Sequence, residues 1–312
     1  MMHTVMLGPL RRSTVLLMLL VTAALCHVAA PVEGRAAVRN GRIAFSSHRD
    51  GRVDIFTMQP DGGGVRNVTD DRSPDFSPAW SPDGTHIAFV SLHADSPMAQ
   101  LFIVDPLGGG EEQVTRFTDG NPQEPAWSPD GRTLAFHVSY GGAIDDELFR
   151  VDVDGSNLAQ LTDNTRSDSD AAWSPDGARL AFVRDGRVET MRPDGSDVTP
   201  VTPATMLAFD PTWSPDGARI AFIGRDDPER QYDLFTVAAD GSDLRWLRVT
   251  TRDELEPAWS PNGRRIVHVL VRYHEEQDTE DHLLCTVRPD GTHRRVLSAD
   301  DTTLDNGPDW RY

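Results

Sequence analysis

Short apolar segments separated by tight polar turns recur along the chain from about residue 41 to its end. Each unit has a run that ends in Trp, a Ser-Pro-Asp-Gly turn, a second run such as residues 87–89, and a loop. A third run such as residues 101–104 and an Asp-Gly turn follow, before a short final run. Short apolar runs bounded by Pro, Gly and Asp are typical of β-strands joined by tight turns. The pattern therefore predicts units of four antiparallel strands.

The tryptophans that mark the units are Trp80, Trp127, Trp173, Trp213, Trp259 and Trp310. A repeat of roughly 40 to 50 residues with four strands predicts the blade of a β-propeller. The first unit begins near Ile43 without a Trp strand, and the C-terminus supplies one at residues 307–312. We therefore predict an all-β, six-bladed propeller over residues 38–312, closed by the C-terminal Trp strand, which completes the first blade. Six tryptophans in register predict packing between blades rather than a stacking surface.

The N-terminal segment has the features of an export signal. Arg11 and Arg12 precede an apolar run over residues 15–25, which is short for a membrane span. We assign residues 1–37 to a signal peptide and short linker, with cleavage between about residues 24 and 37. Cys26 leaves lipidation open as an alternative. The mature chain is then expected in the periplasm, outside the cell or at the cell envelope, without a transmembrane span.

Charge narrows the classes of partner. The formal net charge is −19, and all 30 basic residues are arginine. No basic surface is expected that could neutralise phosphates, which argues against nucleic acid as a partner. A cationic ligand or protein remains compatible with this charge. An isolated propeller needs no second copy to bury its core, so we expect a monomer.

One acidic position repeats three residues before the tryptophans. The six residues there are Ser77, Glu124, Asp170, Asp210, Glu256 and Gly307. If the Trp strand is innermost, these side chains meet at one mouth of the central channel, on the rim that carries the variable loops. The four carboxylates could bind a cation such as Ca²⁺, which favours oxygen ligands, or a cationic group of a partner. Alternatively, each carboxylate accepts hydrogen bonds from backbone amides or Arg side chains of the next blade.

A second charged cluster lies in the last blade. His268 stands where the other blades have Phe, and His274, Asp281 and His282 follow it. These residue types could ligate a transition metal, although a solvated charged loop is the alternative. Cys285 occupies a position that is Phe in other blades, which predicts a buried apolar thiol rather than a nucleophile.

The repeated Pro-Ala-Trp-Ser-Pro-Asp-Gly, followed by Ile-Ala-Phe, resembles the WD40-like repeat of the TolB propeller. Similar repeats occur in the propellers of prolyl-oligopeptidase-type enzymes. The resemblance implies a binding propeller. TolB carries a small α/β domain before its propeller, and we expect this chain to lack that domain. It also lacks the Gly-x-Ser-x-Gly motif of the peptidases' hydrolase domain.

The interpretation is a TolB-like propeller that binds a protein or a ligand at the acidic channel mouth, with Ca²⁺ as the candidate cofactor. The candidate binding residues are Glu124, Asp170, Asp210 and Glu256, and no residue is assigned a catalytic role. The alternative is a metal-dependent propeller enzyme resembling lactonases, esterases or sugar lyases. Such enzymes bring His, Asn or Glu together at the channel, and the inner-strand positions here offer no His.

Overall fold

The computed structural model describes residues 41–49, 51–70, 73–93, 96–140, 146–227, 229–247, 252–274, 279–298 and 304–311. These residues form six four-stranded antiparallel sheets and contain no helix. The all-β, six-bladed prediction is therefore confirmed. The proposed signal peptide lies outside the described residues.

The first three blades combine the chain's last strand with its first eleven. Blade one contains β24 (Asp305–Arg311), β1 (Arg42–Arg49), β2 (Arg52–Met58) and β3 (Arg66–Asn67). Blade two contains β4 (Asp75–Trp80), β5 (Ile87–Ser91), β6 (Gln100–Val104) and β7 (Glu112–Gln113). Blade three contains β8 (Asn121–Trp127), β9 (Thr133–Ser139), β10 (Glu147–Asp152) and β11 (Ala159–Gln160).

The remaining blades follow in chain order. Blade four contains β12 (Asp168–Trp173), β13 (Leu180–Arg184), β14 (Arg187–Met191) and β15 (Thr199–Pro200). Blade five contains β16 (Leu207–Trp213), β17 (Arg219–Arg225), β18 (Asp233–Ala238) and β19 (Arg245–Trp246). Blade six contains β20 (Glu254–Trp259), β21 (Ile266–His274), β22 (Thr279–Val287) and β23 (Arg295–Val296).

The C-terminal strand closes the ring as predicted. Trp310 pairs with Ile43, and Asp305 pairs with Ser47, in an antiparallel ladder between β24 and β1. This pairing protects the edge of β1, which otherwise would present unpaired backbone groups. Closure thus joins the two ends of the described chain within one sheet.

The apolar core lies between adjacent blades. Trp127 and Phe136 of blade three pack in one cluster with Ala88 and Leu101 of blade two. Phe136 is fully buried, as are its equivalents in four other blades, Phe45, Phe89, Phe182 and Phe222. Burying such a side chain contributes about 1.5 to 3 kcal/mol. Four tryptophans, Trp80, Trp127, Trp259 and Trp310, are buried in such clusters, and Trp173 and Trp213 are partly buried and pack against them, in agreement with the sequence.

The Ser-Pro-Asp-Gly segments form the predicted turns. In the first, the amide of Gly84 donates to the carbonyl of Ser81 at 2.9 Å, and Ser81 Oγ donates to Asp83 Oδ1 at 2.7 Å. The same pair of contacts occurs after four of the other inner strands. The turn carboxylates are thus occupied within their own turns.

Candidate functional site: an acidic ring in the central channel

The six Trp strands form the innermost ring. They line a channel of about 370 Å³, and every residue of its wall belongs to one of these strands or to the turn after it. Equivalent positions of the six blades therefore meet around one axis, and a residue type that repeats along the chain becomes a ring in space.

A β-bulge sets the direction of each repeated acidic side chain. In blade three, Gln123 pairs with His137 and Ala126 pairs with Ala135, so two residues of β8 stand opposite one residue of β9. Glu124 is the first of the two. The same register shift occurs in the other five blades. An extra residue in one strand bends it locally and redirects its side chains.

The bulge positions have a costly backbone conformation. The φ angles are 51° at Ser77, 50° at Glu124, 52° at Asp170, 52° at Asp210, 50° at Glu256 and 57° at Gly307. Glycine adopts this left-handed region freely, and other residues do so at a cost of order 1 kcal/mol or more. Blade one uses glycine, whereas blades three to six carry carboxylates. Strain of this kind, repeated at one ring, is typical of a functional site.

Three of the carboxylates join neighbouring blades. Asp170 Oδ2 accepts a hydrogen bond from the amide of Asp210 at 3.2 Å. Asp210 Oδ2 accepts from the amide of Glu256 at 3.2 Å, and Glu256 Oε2 accepts from the amide of Gly307 at 2.6 Å. The alternative interpretation of the acidic positions, as groups that order the ring, is therefore confirmed for these three. Each contact engages one of the two oxygens of its carboxylate.

The four carboxylates, Glu124, Asp170, Asp210 and Glu256, form what we call the acidic ring, and their proximity perturbs them electrostatically. Burial raises the pKa of Glu124, and the charges of Asp170, Asp210 and Glu256 raise it further. Burial also raises the pKa of Asp210, together with the charges of Asp170 and Glu256. Burial raises the pKa of Glu256 as well, against the hydrogen bond from Gly307. Like charges held this close favour a proton or a cation among them.

His137 is a site residue that the sequence analysis missed. It lies on β9, is 7% exposed, and places Nδ1 3.9 Å from Oε2 of Glu124. Three atoms that could ligate a metal ion lie within 4.8 Å of one another, one from each of Glu124, His137 and Asp170. The inner strands carry no His at these positions, as the sequence indicated, and the imidazole comes instead from the second strand of blade three. A comparison of the repeats could have found His137, because four other blades have an aliphatic residue at the equivalent position. These residues are Val90, Val183, Ile223 and Val269.

The side chain of Glu124 keeps 44% of its accessible surface. That surface faces the narrow channel rather than bulk solvent, because Glu124 is part of the channel wall. Protein atoms and the other carboxylates therefore dominate its electrostatic surroundings. The same freedom allows this side chain to turn toward a bound group.

A family model for the TolB beta propeller domain matches residues 33–311. The chain belongs to this family. The protein TolB homolog of Chlorobium luteolum is 46% identical over 72 residues, which are 23% of this chain and 16% of that protein. The Tol-Pal system protein TolB of Methylobacillus flagellatus is 34% identical over 88 residues, 28% of this chain and 20% of that protein. These matches thus span at most a fifth of either relative.

A solved structure shows the same architecture. TolB from Acinetobacter baumannii superposes with a TM-score of 0.71 at 24% identity, over 86% of this chain and 66% of that one. At this identity the similarity establishes the fold alone. Within this TolB-type propeller, the acidic ring and His137 form the candidate functional site.

The charged cluster of blade six does not form one site among the described residues. Val271 to His274 and residues 279–281 belong to β21 and β22, so most of the described charged residues lie on a hairpin rather than in a loop. Asp281 Oδ2 is engaged by Arg272 at 2.9 Å and by His274 at 2.5 Å. His282 contacts Asn306 and Glu280 instead.

His268 and Cys285 lie in the interior of blade six. Both are fully buried, and they pair across β21 and β22. Burial lowers the pKa of His268 to about 3, helped by the charge of Arg294. Burial raises the pKa of the Cys285 thiol, which keeps it protonated and unreactive. The prediction of a buried apolar cysteine is confirmed.

Within the described residues, no helix is long and apolar enough to cross a membrane.

Proposed function

We propose that this TolB-type propeller is an exported binding module whose acidic ring takes up a cation, Ca²⁺ or a cationic group of a protein or ligand. The observation that supports this proposal is that four consecutive blades place Glu or Asp at a left-handed bulge position, where blade one has Gly307. Ring-ordering hydrogen bonds engage one oxygen of Asp170, Asp210 and Glu256. The remaining oxygens supply hard ligands of the kind that Ca²⁺ prefers.

The test is a calorimetric melt of the purified protein in EDTA and then with Ca²⁺. A ligand at a hundred times its Kd adds about 2.7 kcal/mol of stability, so a rise in Tm is expected. Glu124→Ala and Asp210→Ala should reduce that rise. Asp154→Ala is the matched control, because it removes one exposed carboxylate from a turn that is not part of the acidic ring. An equal response to Ca²⁺ in all four proteins, or none in the wild type, would reject the ring as a cation site.

Binding of a protein partner is a separate part of the proposal. The support is membership of the TolB propeller family and the similarity to a Tol-Pal system protein. A cationic peptide segment is the partner chemistry that fits the ring. Competition decides this part: a partner that binds through the ring should be displaced by saturating Ca²⁺, and a partner unaffected by Ca²⁺ binds elsewhere.

Export rests on the N-terminal sequence alone, outside the described residues. Mass spectrometry of the protein recovered from its native host should show an N-terminus between about residues 24 and 37. A protein that keeps Met1 would contradict export by this signal. An added mass of a lipid at Cys26 would select the lipidated alternative.

A second candidate function is a metal-dependent enzyme. His137 favours it, since this residue brings an imidazole to Glu124 and Asp170 beside the channel. Ester, lactone and acidic oligosaccharide substrates would be assayed with metal-loaded and EDTA-treated protein. Activity that is lost in EDTA and restored by metal would support the enzyme over a simple binding module.

A further inference from the structure

His137 departs from the repeat at a single buried position. Four other blades have Val or Ile at that place, opposite the residue before the bulge. Replacing an aliphatic core residue by imidazole buries two ring nitrogens, each of which needs a partner. Among the described residues, Nδ1 of His137 has no hydrogen-bond partner. A buried polar atom without a partner destabilises the folded state.

The unpartnered nitrogen lies near the carboxylate of Glu124. Nδ1 lies 3.9 Å from Oε2 of Glu124, which is too long for a hydrogen bond. Ligand atoms of Glu124, His137 and Asp170 all lie within 4.8 Å of one another. Neutral imidazole and ionised carboxylate are the forms that bind metal ions.

We propose that Glu124, His137 and Asp170 bind a divalent transition-metal ion of the Zn²⁺ type at the wall of the channel. The proposal rests on the proposed function and deepens it, since it names one cation and its ligands within the acidic ring. An imidazole nitrogen favours Zn²⁺ and its neighbours over Ca²⁺, which takes oxygen ligands.

The geometry requires only side-chain adjustment. Zn²⁺ binds N and O ligands at about 2.0 to 2.2 Å, so three ligand atoms around it lie roughly 3.3 to 3.6 Å apart. The present separations, up to 4.8 Å, therefore have to shorten by up to about 1.5 Å. Glu124 has the exposed surface to make this movement, whereas His137 is held in the core. Three protein ligands leave a fourth position, open toward the channel, for water or a ligand atom.

Titration of EDTA-stripped protein with Zn²⁺ by isothermal calorimetry tests the site. The variant His137→Val introduces the residue that blades two, four and six carry, so it keeps the fold. We expect one strong Zn²⁺ site in the wild type and at least a tenfold weaker one in His137→Val. His86→Gln is the matched control, because it removes an exposed imidazole at a turn and none of the three ligands, and its Zn²⁺ affinity should stay within about threefold. Equal Zn²⁺ affinity in the wild type and His137→Val, or no binding by the wild type, would overturn the proposal.

Two further measurements distinguish the Zn²⁺ site at His137 from the Ca²⁺ site proposed for the acidic ring. Co²⁺ bound through His137 should give visible absorption bands that change in His137→Val, and an identical spectrum would contradict ligation by this residue. Ca²⁺ stabilisation should persist in His137→Val. If Ca²⁺ still stabilises the protein but Zn²⁺ does not bind, the transition-metal site fails and the acidic ring stands. If neither ion has an effect, both proposals fail.

Discussion

The carboxylate of Asp210 in blade five accepts a hydrogen bond from the backbone amide of Glu256 in blade six, at 3.2 Å. The contact links two equivalent bulge positions, and the same link joins Asp170 to Asp210 and Glu256 to Gly307. Four blades are thereby connected in series around the channel. The carboxylates have a structural role through one oxygen, and their mutual repulsion is the electrostatic cost of that role.

We expect Asp210→Asn to stabilise the cation-free protein at neutral pH. Burial and the charges of Asp170 and Glu256 raise the pKa of Asp210. A raised folded-state pKa means that stability is full below the ordinary carboxyl pKa and is lost as pH rises through the folded pKa. Asn keeps an oxygen for the amide of Glu256 and removes the charge. In EDTA at pH 7.5 its Tm should exceed that of the wild type by roughly 2 to 4 °C, about 1 kcal/mol.

The difference between these two proteins should disappear near pH 4, where the wild-type carboxyl is protonated. It should also shrink in saturating Ca²⁺ if the ring binds that ion. A lower Tm for Asp210→Asn at every pH would show that the charge itself stabilises the ring.

The buried His268 should make stability fall at low pH, which is opposite to the effect of Asp210. Its pKa falls to about 3 in the folded state because it is fully buried. A depressed pKa contributes stability above the unfolded value of about 6.5, and this is lost as pH falls toward 3. The loss approaches about 1.4 kcal/mol per pH unit. His268→Phe, which restores the residue of the other blades, should flatten the decline of Tm between pH 6 and pH 4.

The matched control for this prediction is His86→Gln, which replaces an exposed histidine at a turn. The Tm of this variant should fall between pH 6 and pH 4 as steeply as that of the wild type. Parallel curves for His268→Phe and the wild type would show that His268 titrates normally or that the folded state admits its proton.

The sequence was sufficient for the architecture because the signals for it are local. Trp spacing and Ser-Pro-Asp-Gly turns specify each blade, and the Trp strand at residue 310 correctly predicted pairing with Ile43. The positions of the acidic residues were also readable from their distance to Trp. His137 was not found, because its proximity to Asp170 arises between blade three and blade four. The bulge that turns Glu124 toward it is a tertiary feature without a simple sequence pattern.

The ion pair of Arg184 and Asp168 gives a large expected loss of stability. Nε and Nη2 of Arg184 donate to the two carboxylate oxygens of Asp168 at 2.6 and 2.8 Å, and the Asp168 side chain is fully buried. Removing one partner of a buried pair leaves an uncompensated charge, at a cost of about 3 to 5 kcal/mol. Arg184→Met should therefore lower the free energy of unfolding by that amount in urea denaturation.

Two comparisons isolate the buried charge as the cause. Arg184→Met combined with Asp168→Asn should recover part of the loss, because the orphaned charge is gone. Arg166→Met removes an exposed pair with Asp185 at 3.4 Å and should cost less than about 1 kcal/mol. Equal losses in Arg184→Met and Arg166→Met would mean that burial does not govern the energy of these pairs.

Ring closure through β24 is open to a direct test by truncation. A chain that ends at Leu304 lacks Trp310 and the strand that pairs with β1, so the edge of β1 is exposed. Exposed strand edges associate with other chains, and the loss of Trp310 alone removes about 3 to 5 kcal/mol of core packing. We expect a Tm lower by about 6 to 20 °C, as follows from that loss at roughly 2 to 4 °C per kcal/mol, with dimers or larger species in light scattering. A synthetic peptide of residues 304–312 should restore the monomer by refilling the missing strand position, and a truncated chain that melts as the full chain does would show that β24 does not close the ring.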